Sequence, residues 1–251
     1  MKNLTFLFMV VTLMTSCAEQ YVIQGASSVP QLDGSKLYLK VQNAKSLAKI
    51  DSCEVVHGKF HFSGTLDTVK VASLFMDEQS LLPLVIEKGD ISIRIDNGQQ
   101  KVSGSPLNDM LYEFLDKHTR LQNQIQELDH RYSQMLLDGI DEMEIEQTLT
   151  AEAALIAQKE DSLVTDFVVA NFDNVLAPFV LVNLASSVPQ VEHIMSKAPD
   201  SFKQIPMVSE FYKYVTESNQ MNQPQMNQPE TPSEIDDATI QDILNGNENT
   251  H

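Results

Sequence analysis

The chain has 251 residues, 42% of them hydrophobic, with 17 Lys+Arg against 35 Asp+Glu and a formal net charge of −18. That is enough apolar material for one or two packed domains, and too few clustered bases for the counterion release on which nucleic-acid affinity rests, so no nucleic-acid partner is expected. Two cysteines separated by 35 residues exclude a CxxC redox pair and a four-cysteine zinc site.

Lys2 followed by the apolar run Leu4 to Met14 has the composition of a secretory signal. As a helix the run reaches roughly 16 Å, about half of a hydrocarbon core, so it does not span a bilayer. Thr15-Ser16-Cys17 resembles a bacterial lipobox. The resemblance implies removal of residues 1–16 and acylation of Cys17, with palmitate among the acyl groups; an ordinary signal peptide with an incidental Cys17 is the alternative. Removing residues 1–16 takes away one lysine and no acid, leaving −19. Anionic headgroups repel such a charge, which leaves acyl chains as the expected means of membrane attachment. Ala18, where sorting rules place Asp for inner-membrane retention, points by the same resemblance to the outer membrane of a bacterial envelope, facing the periplasm or outward.

From Tyr21 to Ser103, turn pairs (Asp33-Gly34, His57-Gly58, Gly89-Asp90, Asn97-Gly98) punctuate short runs of period two. Ile91, Ile93 and Ile95 alternate with Ser92, Arg94 and Asp96; Leu37, Leu39 and Val41 alternate with Tyr38, Lys40 and Gln42; Phe60 and Phe62 follow the His57-Gly58 turn. Val69 to Phe75 and Leu82 to Ile86 are more continuously apolar and read as central strands, with Pro83 weakening the start of the second. Seven or so antiparallel strands predict a small sandwich over residues 17–104.

At Ser105-Pro106 the period becomes helical: Ser105 is placed to cap the free N–H groups, and Pro106 has no N–H to leave unpaired. Leu107, Leu111, Phe114, His118, Leu121, Ile125, Leu128, Tyr132 and Met135 form a heptad seam, a coiled-coil pattern that Gly139 ends. A second helix, roughly Glu142 to Asn171, carries Ile145, Leu149, Ala153, Ile156, Leu163, Phe167 and Ala170 on one side, predicting an antiparallel hairpin. Shorter helices at about 174–186, 189–197 and 206–217 complete a helical region over residues 105–217. The fold class is therefore α+β, a small antiparallel sandwich followed by a long helical hairpin and short helices. Residues 218–251, with Met221-Asn222-Gln223-Pro224 repeated as Met226-Asn227-Gln228-Pro229, read as a flexible acidic, disordered tail. Ser233 to Gly246 within it has the pattern of a marginal helix, either solvated or folding on a partner.

The segments Tyr21-Val22-Ile23-Gln24-Gly25, Lys36-Leu37-Tyr38-Leu39, Ile50-Asp51-Ser52, Val55 to Gly64, Ile86-Glu87-Lys88-Gly89 and Val102 to Asn108 resemble, in order, an N-terminal β domain of unknown function. That domain is found on bacterial envelope lipoproteins that continue into a thioredoxin-like thiol-disulfide oxidoreductase. Asn171-Phe172-Asp173-Asn174 with Ala177 to Leu181 is similar to the helical bridge that precedes the redox domain. The redox domain's Trp-Cys-x-x-Cys has no counterpart here, so the resemblance implies a fold and an envelope location, without a residue onto which the activity carries.

Cys53 is the thiol left once Cys17 is acylated, either a reactive partner for mixed disulfides or a small buried apolar group. His57 and His61 are separated by a turn and a strand, a poor arrangement for an i, i+4 metal clamp. His118 stands on the seam with no nucleophile beside it in sequence. Asp138, Asp141, Glu142, Glu144 and Glu146 lack the spacing of a calcium loop. The expectation is a non-catalytic envelope lipoprotein, with no catalytic residue, metal or cofactor, that binds or scaffolds an unknown envelope protein or ligand. A redox accessory acting through Cys53 is the alternative, and self-association through the helical hairpin is a further expectation.

Overall fold

The computed structural model describes residues 19–43 and 46–222. The apolar leader, Cys17 and the tail beyond Asn222 lie outside the described residues.

Eight strands form two four-stranded sheets. The first, in the order β4-β1-β7-β8, contains β1 (Glu19–Ser27), β4 (Lys59–Leu66), β7 (Gly89–Ile95) and β8 (Gln100–Ser103). The second, in the order β3-β2-β5-β6, contains β2 (Lys36–Asn43), β3 (Ser46–Glu54), β5 (Lys70–Met76) and β6 (Gln79–Ile86). Pairing is antiparallel except between β1 and β7, which run parallel from Tyr21↔Gly89 to Ser27↔Ile95. Period-two patterning fixes which face of a strand is buried and is blind to strand direction.

The alternation holds. Ile91, Ile93, Ile95, Leu37, Leu39, Val41, Phe60 and Phe62 are buried while their neighbours reach outward, and one core joins both sheets. The continuously apolar β5 is central as expected, but β6 is an edge strand. Its residues Leu84, Val85 and Ile86 are all buried because helix covers the edge, and Pro83 costs no ladder bond on that open side.

The cover is α1 (Pro106–Leu137), packed against β6 and β8. Its start differs from expectation. Ser105 occupies the N-cap position, but its side chain makes no capping bond. Instead Oε1 of buried Glu87 accepts from the N–H groups of Leu107 (2.8 Å) and Asn108 (3.1 Å), and Ser105 Oγ accepts from Asn108 Nδ2 at 2.8 Å. A carboxylate brought in from the preceding strand end satisfies two orphan donors where the helix dipole favours negative charge.

Gly139 ends α1 at φ +78°, with Gly139 N–H bonded to Leu136 C=O and Ile140 N–H to Met135 C=O, a Schellman turn. Asp141 then caps α2 (Glu142–Ala170) by accepting from Met143 N–H at 3.0 Å. Leu121, Ile125, Leu128, Tyr132 and Met135 meet Ile145, Leu149, Ala153 and Ile156, so the outer half of the hairpin has its own small core and α2 fills the seam within one chain. Arg131 pairs with Glu152 across the hairpin, and Tyr132 Oη donates to Glu142 at 3.0 Å.

Nearer its C-terminus the buried face of α2 turns. Val164, Thr165 and Val168 are buried, whereas Leu163 and Phe167 are half-buried and Ala170 is exposed. The helices α3 (Leu176–Leu184) and α4 (Val188–Lys197) pack on that side, with Gln190 of α4 donating to Asp161 C=O at 3.1 Å. Asn171 and Asn174 form the corner before α3, Asn174 accepting from Leu176 N–H at 2.9 Å. A short α5 (Asp200–Lys203) precedes α6 (Pro206–Asn222), in which the compact unit closes at Tyr212. Among the described residues no helix is long and apolar enough to cross a membrane.

Candidate functional site

Cys53 lies on β3, an edge strand of the second sheet, opposite Leu37 and half-buried against the sandwich core. Burial pushes its thiol up from the ordinary value, a backbone hydrogen bond from His61 partly offsets the rise, and the Asp51 carboxylate adds to it. The net effect holds the proton on sulfur, whereas thiol exchange proceeds through thiolate.

His57 sits in the β3–β4 turn at φ 51° and His61 on β4, both exposed. Among the described residues no three His, Cys, Asp or Glu side chains gather as a metal would require.

His118 is paired. Its Nε2 lies 2.9 Å from Oε1 of Glu160 on α2, and Gln122 donates to the same oxygen. Phe114 stacks on the imidazole at 6.1 Å and meets Phe167 at 4.3 Å. The spacing of the seam brings His118 to the hairpin interface, where a histidine needs a polar partner and Glu160 supplies one. Beside this cluster a shallow groove of about 190 Å³ runs between α1 and α2, lined by Met110, Glu113, Lys117, Leu163 and Ala170 among others. Its volume lies below the roughly 300–1,000 Å³ of typical small-molecule sites.

The most elaborate polar cluster was not singled out from the sequence. Asn108, fully buried, donates from Nδ2 to Val85 C=O (2.7 Å) and accepts at Oδ1 from Val85 N–H (2.8 Å), while Tyr112 Oη donates to Pro83 C=O at 2.9 Å. Burial holds the Tyr112 phenol protonated well above its ordinary value, with the Asp116 carboxylate contributing. The chemistry of this cluster is satisfaction of an exposed strand edge. Its sequence signal is a polar Asn one turn before the buried Leu111 and Tyr112.

The acidic residues from Asp138 to Glu146 surround the hairpin tip, where Leu137 and Met143 are also exposed.

These features describe an α+β protein whose inward polar groups join sheet to helix. A domain of unknown function, DUF4369, is found at residues 21–111, a span that takes in nearly all of the sandwich and the opening turns of α1, including Glu87 and Asn108. No curated protein matches the chain.

Proposed function

We propose that this protein is a lipid-anchored, non-catalytic component of a bacterial envelope, attached through Cys17 and using its sandwich and hairpin as a surface for binding or scaffolding. The observation that carries the reading is in the sequence: the apolar run Leu4 to Met14 leads into Thr15-Ser16-Cys17, two residues before β1 begins at Glu19. The DUF4369 domain at residues 21–111 supports the same reading insofar as residues 21–108 resemble the N-terminal β domain of envelope lipoproteins. The raised Cys53 thiol weighs against the redox alternative.

Metabolic labelling with a palmitate analogue tests the anchor. Label on the wild-type chain, lost together with membrane retention in Cys17→Ala, is the expected result; a labelled or membrane-retained Cys17→Ala chain contradicts it.

A further inference from the structure

The buried alternation of Leu37, Leu39 and Val41 turns Lys36, Tyr38 and Lys40 onto the outer face of the second sheet. A register shift after Leu39 sets Lys49 of β3 opposite Lys40. The ammonium groups of Lys36, Lys40 and Lys49 therefore gather 6.0, 6.0 and 5.7 Å from the centre of one ring, Tyr38. Lys40 also lies 4.4 Å over the neighbouring Phe75 ring.

Three cations share this face in a chain of net charge −18. Lys40, whose side chain is only 13% exposed, pairs with Glu78 at 3.4 Å. Among the described residues Lys36 and Lys49 form no ion pair, although Glu54 stands opposite Lys36 in the register. Ring faces are thus the contacts that Lys36 and Lys49 make on this surface, which leaves their two charges open to an anion. Alongside it β3 exposes two aliphatic side chains, Leu47 at 47% and Ile50 at 43%.

We propose that this face docks on an anionic phospholipid bilayer, with the exposed Lys36 and Lys49 among the headgroups, the largely buried Lys40 beneath them, and Tyr38, Leu47 and Ile50 at the interface. Charge complementarity names an anion. The exposed aliphatics favour a bilayer over a soluble one, because a free phosphate makes no use of them, while interfacial binding combines apolar burial with Lys attraction. The remaining acids do not prevent this, since beyond a Debye length of about 8 Å they are screened at physiological salt. The inference concerns the membrane invoked for the tether but rests on no acyl chain, and its experiment omits Cys17, so either idea can fail alone.

The buried side chains of the described fold lie between Tyr21 and Val208, so the chain from Ala18 to His251 retains that core. Sedimentation of that chain with vesicles of phosphatidylcholine, with and without phosphatidylglycerol, is the test. Binding is expected only with phosphatidylglycerol, to fall with added salt, and to drop roughly fivefold for each lysine lost in Lys36→Gln and Lys49→Gln. Lys36→Arg/Lys49→Arg retains it. Both residues are exposed, and an unchanged unfolding midpoint verifies that the variants fold. Equal sedimentation on the two vesicle types, full binding by the Lys36→Gln/Lys49→Gln chain, or displacement by inorganic phosphate beyond that by chloride of equal ionic strength overturns the proposal.

Discussion

Asn108 stands beside Val85 as though it were the next strand of the sheet. Its side-chain amide exchanges both a donor and an acceptor bond with Val85, at 2.7 and 2.8 Å. The backbone N–H of the same residue is held by Glu87, two residues further along the chain from Val85. Sheet edge and helix start are thus closed by one reciprocal contact, and neither element needs a further strand there.

Replacing Asn108 by Ala leaves two buried backbone groups of Val85 unpaired, each costing about 1–3 kcal/mol. Asn108→Ala is expected to lower unfolding stability by about 2–6 kcal/mol, measured by urea titration. Asn108→Asp keeps an acceptor for the N–H but turns an oxygen towards the carbonyl, so it too is destabilised. A loss below about 0.5 kcal/mol in Asn108→Ala contradicts the edge-closing role.

Two glycines separate strain from collision. Gly139 has φ +78° with open space where a side chain would stand, and Gly139→Ala is expected to cost about 1–2 kcal/mol from the left-handed backbone alone. Gly104 has φ +96°, and a Cβ there would lie 2.8 Å from the Asp90 carbonyl oxygen. Gly104→Ala combines strain with a backbone clash, about 2–5 kcal/mol. Equal thermal unfolding midpoints for the two variants run against this account.

Alkaline pH should find Cys53 slow to react. Its folded value is raised, so the stability contributed by the protonated thiol is complete below the unfolded value of about 8.5 and is lost as pH rises through the folded one. Iodoacetamide labelling followed by mass spectrometry near pH 8.5 is expected to be slower in the native chain than in urea. Equal rates would show an accessible thiolate and revive the redox reading.

Much of the fold was legible because burial leaves a periodic trace. Isoleucines at 91, 93 and 95 announce an inward strand face, and spacings of three and four from Leu107 to Met135 announce a helix seam, whatever lies opposite. The pattern did not show that β6 is an edge strand, since burial under α1 looks the same as burial inside a sheet. Nor did it show that Glu87 rather than Ser105 caps α1, because a capping residue near in space can lie twenty positions away in sequence.

The amino-acid sequence by itself determined the two periodicities, the boundary at Ser105-Pro106, and a net charge of −18. Tertiary structure alone decided which groups meet: Asn108 with Val85, His118 with Glu160, and three lysines of an acidic chain around Tyr38. The reason is physical. Periodicity is imposed by a neighbour one turn or one pleat away, whereas the pairing of polar groups across elements depends on sheet order and register, which local spacing does not encode.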